Sequence, residues 1–287
     1  MGANDTSSVQ RQPDRSTPVT LLSNKRLLIT GVSTTDSIAY ATAAAALDHG
    51  AKVILTSFER DRERTVDAAA RLGPEIEVLE LDVTEDSHFT RLTGEIMERW
   101  QGLDGALHAV AFAPRSALAG DFLQADAAST QRAFHASAYS YAALARVLSA
   151  LAPQAGGSIL GLDFDASGAW PIYNWMGVCK AALESVNRYV ARDCGPRRIR
   201  SNLIAAGPLH TRAAGGIPEF DRLTEAWEAR SPMPWNASDP SPVADAACFL
   251  FSDLARGVTG EILHVDGGYH AMAANLEHTG PREDPAA

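Results

Sequence analysis

Short apolar runs alternate with longer amphipathic segments along almost the whole chain, and this alternation limits the fold more than any other feature. "RLLITG" opens the series, followed by the alanine-rich "SIAYATAAAALDHG", which Ser37 caps and Gly50 closes. "KVILTSF" comes next, then a charged helical stretch over about 61–72, "EVLELDV", "DSHFTRLTGEIMERW" and "LDGALHAVAF". Beyond these the pattern predicts a long helix over about 129–151, a strand at "GSILGLDF" and a helix over about 173–194. A strand at "IRSNLIAAG", a helix at "SPVADAACFLF" and a last strand at "EILHVDGG" complete it. Strands linked in turn by helices take right-handed crossovers, which lay them parallel in one sheet. Their nearly unbroken apolar character fits burial on both faces. The expected fold is α/β: a single doubly wound Rossmann-type parallel sheet, with ligands beyond the C-terminal strand ends.

Of 287 residues 46% are apolar and 21% charged, enough for one large core, expected over 21–274. The polar segments 1–20 and 275–287 read as disordered tails. The one long irregular stretch, 208–239, carries Gly215, Gly216, Pro218, Pro232 and Pro234 around the amphipathic "EFDRLTEAWEA". An insertion of that length at the ligand edge reads as a short substrate lid. A net charge of −10 with no basic stripe argues against nucleic acid and anionic membrane surfaces. No apolar run is long enough for a bilayer. Cys179, Cys194 and Cys248 are odd in number and form no C-x-x-C pair, which argues against disulfides and zinc and for a reducing cytosol. The N-terminal stretch lacks the pattern of a secretory signal, and no His/Cys/Asp cluster has metal-ligand spacing.

The turn after the first strand, "GVSTTDSIA", contains one glycine, Gly31, so no G-x-G-x-x-G fingerprint is present. Ser37 and Ile38 open the next helix, where free N–H groups can meet a pyrophosphate. An ordinary capped turn reads the same residues equally well. Phe58, at the end of the second strand, is either a face for an adenine ring or a strand-end core residue. Arg60, Arg62 and Arg64 beyond it read as a solvated helix face. Asp82 and Val83 close the third strand, where the carboxylate can take an adenine amino group or cap the following helix.

"DFDASGAWPIYNWMGVCKAALESVNRY" is the most informative stretch. Tyr173 and Lys180 stand seven positions apart, nearly two helical turns, and so share a face. A tyrosine can donate to a carbonyl oxygen that gains negative charge, and a lysine can hold ribose hydroxyls and keep the local potential positive. A surface Tyr and a surface Lys on one helix would give the same spacing. Cys179 and His135 read as packed residues, and His210 has no evident partner carboxylate.

With these segments in place, the chain resembles the NADH-dependent enoyl-acyl carrier protein reductases, a divergent branch of the short-chain dehydrogenases, and their actinobacterial type above all. "ITGVSTTDSIA", "LTSFER", "LELDV", "LHAVAFAP", "ASAYSYA", "RSNLIAAGPLHT", "TGEILHVDGG" and the Tyr-x6-Lys segment carry the resemblance, over about 25–268. It implies reduction of the trans-2 double bond of an enoyl thioester, on acyl carrier protein or CoA, by NADH, with NADPH as the alternative cofactor. Tyr173, Lys180 and Phe164 are the implied catalytic residues: Tyr173 toward the thioester oxygen, Lys180 on the nicotinamide ribose and Phe164 beside the reacting double bond. The implied cofactor contacts are Gly31 in the turn, Ser37 and Ile38 at the pyrophosphate, and Phe58, Asp82 and Val83 at adenine. Ala109, Val110 and Ala111 would pass the ribose, and Leu209 and Thr211 would flank the nicotinamide and pyrophosphate.

The family pattern also implies a cytoplasmic homotetramer, with dimer faces on the helices over about 129–151 and 173–194. His210 stands where arginine is usual and Arg212 where an apolar residue is usual; Arg212 could meet a phosphopantetheine phosphate or alter acyl preference. The lid is shorter than in the long-chain mycolate-type enzymes, which implies short or medium acyl chains. Besides fatty-acid elongation, two other readings fit. One is a secondary-metabolism reductase acting on an unusual enoyl or carbonyl thioester. The other, a non-catalytic NAD-binding sensor, has no need of Tyr173.

Overall fold

A computed structural model describes residues 20–217 and 219–273. Pro218, residue 274 and the expected tails, apart from Thr20, lie outside the described residues. The strands are β1 (Arg26–Ile29), β2 (Lys52–Ser57), β3 (Glu77–Glu80), β4 (Gly105–His108), β5 (Gly157–Asp163), β6 (Ile199–Ala206) and β7 (Ile262–Val265). They form a seven-stranded sheet in the order β3-β2-β1-β4-β5-β6-β7, every pairing parallel. The helices are α1 (Ile38–Asp48), α2 (Arg62–Leu72), α3 (Asp86–Trp100), α4 (Arg115–Leu118), α5 (Ala127–Phe134), α6 (Ser140–Leu151), α7 (Asn174–Cys194), α8 (Phe220–Arg230) and α9 (Ser241–Phe251). This is the doubly wound Rossmann-type sheet read from the sequence.

Side-chain alternation along the strands divides the core into two layers. Leu27, Ile29, Val53 and Leu55 face α1, α2 and α9, while Leu28, Ile54 and Ile159 face α3, α6 and α7. On α1 the buried positions Ala39, Thr42, Ala43 and Ala46 are all small, so the helix can lie close to the sheet and to α9. On the other layer Phe89, Leu92 and Ile96 recur at helical spacing along α3, which packs against α6 and β3.

The predicted helix over about 129–151 is two helices. α5 begins earlier, capped by Asp126, whose carboxylate accepts the Ser129 amide at 2.8 Å. A π-helical turn, His135–Tyr139, then separates α5 from α6. A single π turn inside a helix commonly marks a functional site. Here it presents Ser137, whose hydroxyl accepts the Phe112 amide at 2.9 Å and donates to the Phe112 carbonyl at 3.0 Å. The chain that leaves β4 is thereby tied to the helical layer. The short α4 lies in that segment, where the sequence pattern predicts no helix.

β1 lies between β2 and β4, so the chain direction reverses across its C-terminal end and opens a crevice there. Thr30 closes the base of the crevice. Its hydroxyl donates to the Leu107 carbonyl at 2.9 Å and accepts the Ala109 amide at 3.1 Å. Gly31 follows with φ +81°, and a Cβ there would stand 2.0 Å from the Ala109 carbonyl oxygen. Gly31→Ala is therefore expected to cost at least about 2 kcal/mol, from left-handed strain and overlap with backbone. A lower urea midpoint at unchanged slope is the measurement.

Candidate active site

The C-terminal strand ends bring most of the candidate residues to one edge of the sheet. At the turn after β1, the Ser37 side chain caps α1 by accepting the Tyr40 amide at 3.1 Å, while its own amide donates to the Thr34 carbonyl at 3.2 Å. Ser37 therefore does not offer its N–H to an anion. The amides of Ile38 and Ala39 have no hydrogen-bond partner among the described residues. They are the free donors at the start of an eleven-residue helix.

At the far side of the crevice, Phe58 leaves β2 half-buried, and the Arg60 guanidinium lies 5.2 Å from its ring centroid. β3 stops at Glu80, so Asp82 and Val83 lie beyond the strand rather than at its end. Asp82 Oδ1 accepts the Thr84 amide at 2.9 Å and the Thr84 hydroxyl at 2.6 Å, which makes it a turn cap with Oδ2 uncommitted. Val83 packs against the core layer of α3 and α6. β4 stops at His108, so Ala109, Val110 and Ala111 form a loop, with Ala111 exposed.

The Tyr173–Lys180 pair departs from the helical-face argument. Tyr173 precedes α7, and Asn174 between it and the helix body has φ +39°. The Tyr173 carbonyl accepts the Met176 amide at 2.9 Å and so begins the helix, leaving its side chain to follow the incoming loop. Its ring packs against Phe164, with centroids 5.1 Å apart, and against Met176 and Cys179. Its hydroxyl has no hydrogen-bond partner among the described residues and is not fully occluded. Burial, with the nearby Asp163 charge, pushes the phenol pKa up from its ordinary value, so this hydroxyl keeps its proton throughout the neutral range.

Lys180 is 5% exposed, and its ammonium donates to the Leu162 carbonyl at 2.7 Å. Burial lowers its pKa, and Asp163 opposes that. An ammonium has three donors, so two remain for other acceptors. Cys179 packs in the core beneath Tyr173, and burial pushes its thiol up to about 11.

Other residues join the site that sequence reasoning did not single out. His108, at the end of β4, is 1% exposed with Nε2 2.7 Å from the Ser140 hydroxyl. That hydroxyl gives its one proton to the Ala136 carbonyl at 2.8 Å, so Nε2 must be the donor and Nδ1 is left bare. Burial, helped by the Lys180 charge, lowers the His108 pKa to about 3, so the ring is neutral. Asp163, the last residue of β5, is 5% exposed. A carboxylate closing an apolar strand was the available signal. Trp170, Trp227 and Tyr269 form a third group: Trp227 from α8 stacks on Tyr269 at 3.8 Å, and Trp170 lies 5.0 Å from Phe164. An apolar wall thus runs from Phe164 into the lid.

Leu209 departs from its expected place. Its side chain is 5% exposed and packed in the core layer of α1 and α9, so only its backbone can face the crevice. The Thr211 hydroxyl accepts the Ala214 amide at 3.2 Å and starts the lid turn. Exposed His210 packs edge-on to Phe220, and Arg212 points back toward Asp61 at 4.0 Å, away from the aromatic wall. His135 packs edge-on to Tyr139 within the π turn.

A glycine cradle, two uncommitted amides at a helix start and a buried ammonium at the opposite end of one crevice fit a dinucleotide whose phosphates lie in the middle. Among the described residues no group of three or more His, Cys, Asp or Glu side chains could hold a metal ion.

A family model described as enoyl-(acyl carrier protein) reductase matches residues 31–270. An enoyl-acyl-carrier-protein reductase (NADH) of Mycolicibacterium smegmatis is 42% identical over 266 residues, 86% of this chain and 97% of that protein. The enzyme of the same name from Mycobacterium avium is 43% identical over 264 residues, again 86% and 97%. That of Neisseria meningitidis serogroup B is 39% identical over 259 residues, 89% of this chain and 98% of the relative. On this evidence, together with the crevice that the sheet builds, the chain belongs to the enoyl-acyl carrier protein reductase family.

Proposed function

We propose that this chain reduces the trans-2 double bond of an enoyl thioester with NADH, as a step of fatty-acid elongation. The observation that carries the reading is the Tyr173 hydroxyl, protonated, without a partner among the described residues and beside Phe164, in a chain of this family. NADH held there would supply a hydride for the β-carbon of the thioester, and the α-carbon would take a proton from solvent to complete the reduction. Tyr173 donates a hydrogen bond to the thioester carbonyl oxygen as negative charge collects there. Lys180 keeps one N–H on Leu162 and turns the other two to the nicotinamide ribose hydroxyls. The Phe164 ring excludes water from the double bond and limits its approach to one face.

The remaining cofactor roles follow from placement. The Ile38 and Ala39 amides, beneath the Ser37 cap, receive the pyrophosphate beside Gly31. Phe58 stacks on adenine with the ring face that Arg60 leaves open, and Asp82 Oδ2, next to Val83, accepts the adenine amino group. Ala109, Val110 and Ala111 pass the ribose, and Thr211 with the Leu209 backbone closes the nicotinamide side. The acyl chain follows the wall formed by Phe164, Trp170 and Trp227; with a short lid this suits short or medium chains. The thioester is carried by acyl carrier protein or CoA.

The assembly is a homotetramer in this reading. A groove between α6 and α7 is lined by Phe134, Ala142, Ala145, Ala182, Val186 and Tyr189, mostly apolar and open to solvent in the single chain. A second copy of the same two helices would cover it. The unpaired cysteines suit a reducing cytoplasm, and among the described residues no helix is long and apolar enough to cross a membrane.

NADH absorbance followed against a panel of enoyl-CoA chain lengths tests the activity: turnover of simple chains supports elongation, and turnover of unusual ones alone supports the secondary-metabolism reading. Tyr173→Phe should lower kcat by no more than ~10²- to 10³-fold and leave NADH affinity unchanged. Lys180→Ala should weaken NADH binding by roughly 10- to 100-fold, read by fluorescence titration. Val186→Arg, in the α6–α7 groove, should shift the sedimentation coefficient to a smaller species.

A further inference from the structure

Asp163 is a buried acid that the proposed chemistry leaves unused. Both its carboxylate oxygens are occluded and without a hydrogen-bond partner among the described residues. The nearby Phe164 amide favours the ionised form but does not reach hydrogen-bond geometry. An orphaned carboxylate in an apolar strand end is costly unless an opposite charge lies close. Among the described residues the one cation acting on it is Lys180, whose ammonium donates to the carbonyl of the residue just before it.

Among the other groups that face this pair, Glu184 and Asp165 carry like charge that raises Asp163 further, and the rest are neutral. From β4, His108 is neutral. From α7, Glu184 lies toward Arg188 at 3.9 Å, and the Cys179 thiol is protonated. From the loop after β5, Asp165 accepts both the amide and the hydroxyl of Ser167, each at 3.0 Å. Tyr173 keeps its proton. Among the described residues Lys180 therefore has Asp163 as its counter-charge, in surroundings that otherwise favour the free amine.

We propose that Asp163 is a positioning residue for the cofactor end of the site: its carboxylate is the counter-charge that keeps the buried Lys180 ammonium protonated and held at the end of β5. The carboxylate itself is raised by burial to about 7, with Lys180 pulling it back down, so the pair is doubly charged above neutrality. On lowering the pH Asp163 takes a proton first and Lys180 stays charged. On raising it, Lys180 loses its proton later than it would alone. The proposal builds on the reading that Lys180 holds the nicotinamide ribose, but its principal test does not depend on that reading.

The sequence contains three lysines, Lys25, Lys52 and Lys180, so a spectrum of protein labelled with ¹³C at lysine Cε has three side-chain signals to assign. In Asp163→Asn, which keeps the shape and removes the charge, the Lys180 signal should titrate at least about one pH unit lower than in the wild type. NADH affinity should then fall on raising the pH in the variant at a lower midpoint than in the wild type. An unchanged Lys180 titration would falsify the proposal, as would a loss of affinity uniform in pH with Lys180 unmoved, the pattern of a merely structural residue. Should Asp163→Asn fail to fold, the wild type alone decides. Its Lys180 signal must show a small step near pH 7 as the neighbouring acid titrates, and a flat trace through that range overturns the idea. Wild-type protein that shows the Lys180 shift yet binds no NADH refutes the cofactor reading and leaves the charge pairing standing.

Discussion

The contact on which the ligand edge depends is backbone against backbone. Where the chain leaves β1, Gly31 lies so close to the Ala109 carbonyl that no side chain fits, and Thr30 bonds to the β4 exit from both sides of its hydroxyl. The two strand ends that border the crevice are thus held at a fixed separation. Ser137 on the π turn then pins the next stretch of that loop. One glycine suffices in this turn because only one position meets another backbone. The remaining turn residues need only leave helix-start amides uncovered, and Ile38 and Ala39 meet that condition.

Much of the fold was legible in the sequence because its signals are local. Seven apolar strands and the helices between them have distinct periodicities, and a parallel order follows from connection rules. Misreadings gather where tertiary contacts decide. The π turn cannot be read from "FHASAYSYA", because nothing in those residues separates a π turn from an ordinary helical one and only the bond to Phe112 reveals its use. Strand ends were placed too late at Val83 and Phe112 because apolar character continues past the last ladder bond. Tyr173 and Lys180 stand out by their spacing, but the shared helical face which that spacing implies is altered by left-handed Asn174. Asp163 and His108 were passed over because a buried titratable residue looks, in sequence, like any polar residue at a strand end. Their importance comes from missing partners, which only coordinates can show.

The site combines two kinds of environment. At the phosphate end, donors come from the backbone at the start of a helix and need no titratable group. At the other end, Tyr173, Lys180, Asp163 and His108 are all withdrawn from water, so small changes in charge act through a low dielectric and carry far. Phe164 stands at the boundary, touching Tyr173 on one side and the tryptophan wall on the other. Phe164 thus separates a polar, charge-bearing side of the crevice from an apolar aromatic one.

The lid helix α8 is not hinged on its own loops alone. Trp227 stacks on Tyr269 and donates from its indole to the Asp266 carbonyl at 3.1 Å, while Arg230 reaches both the Tyr269 hydroxyl and the Met272 carbonyl. These partners all follow β7, the edge strand of the sheet. Any outward swing of α8 thus entails peeling an aromatic sandwich off the far rim, so its ease answers to residues beyond the last strand.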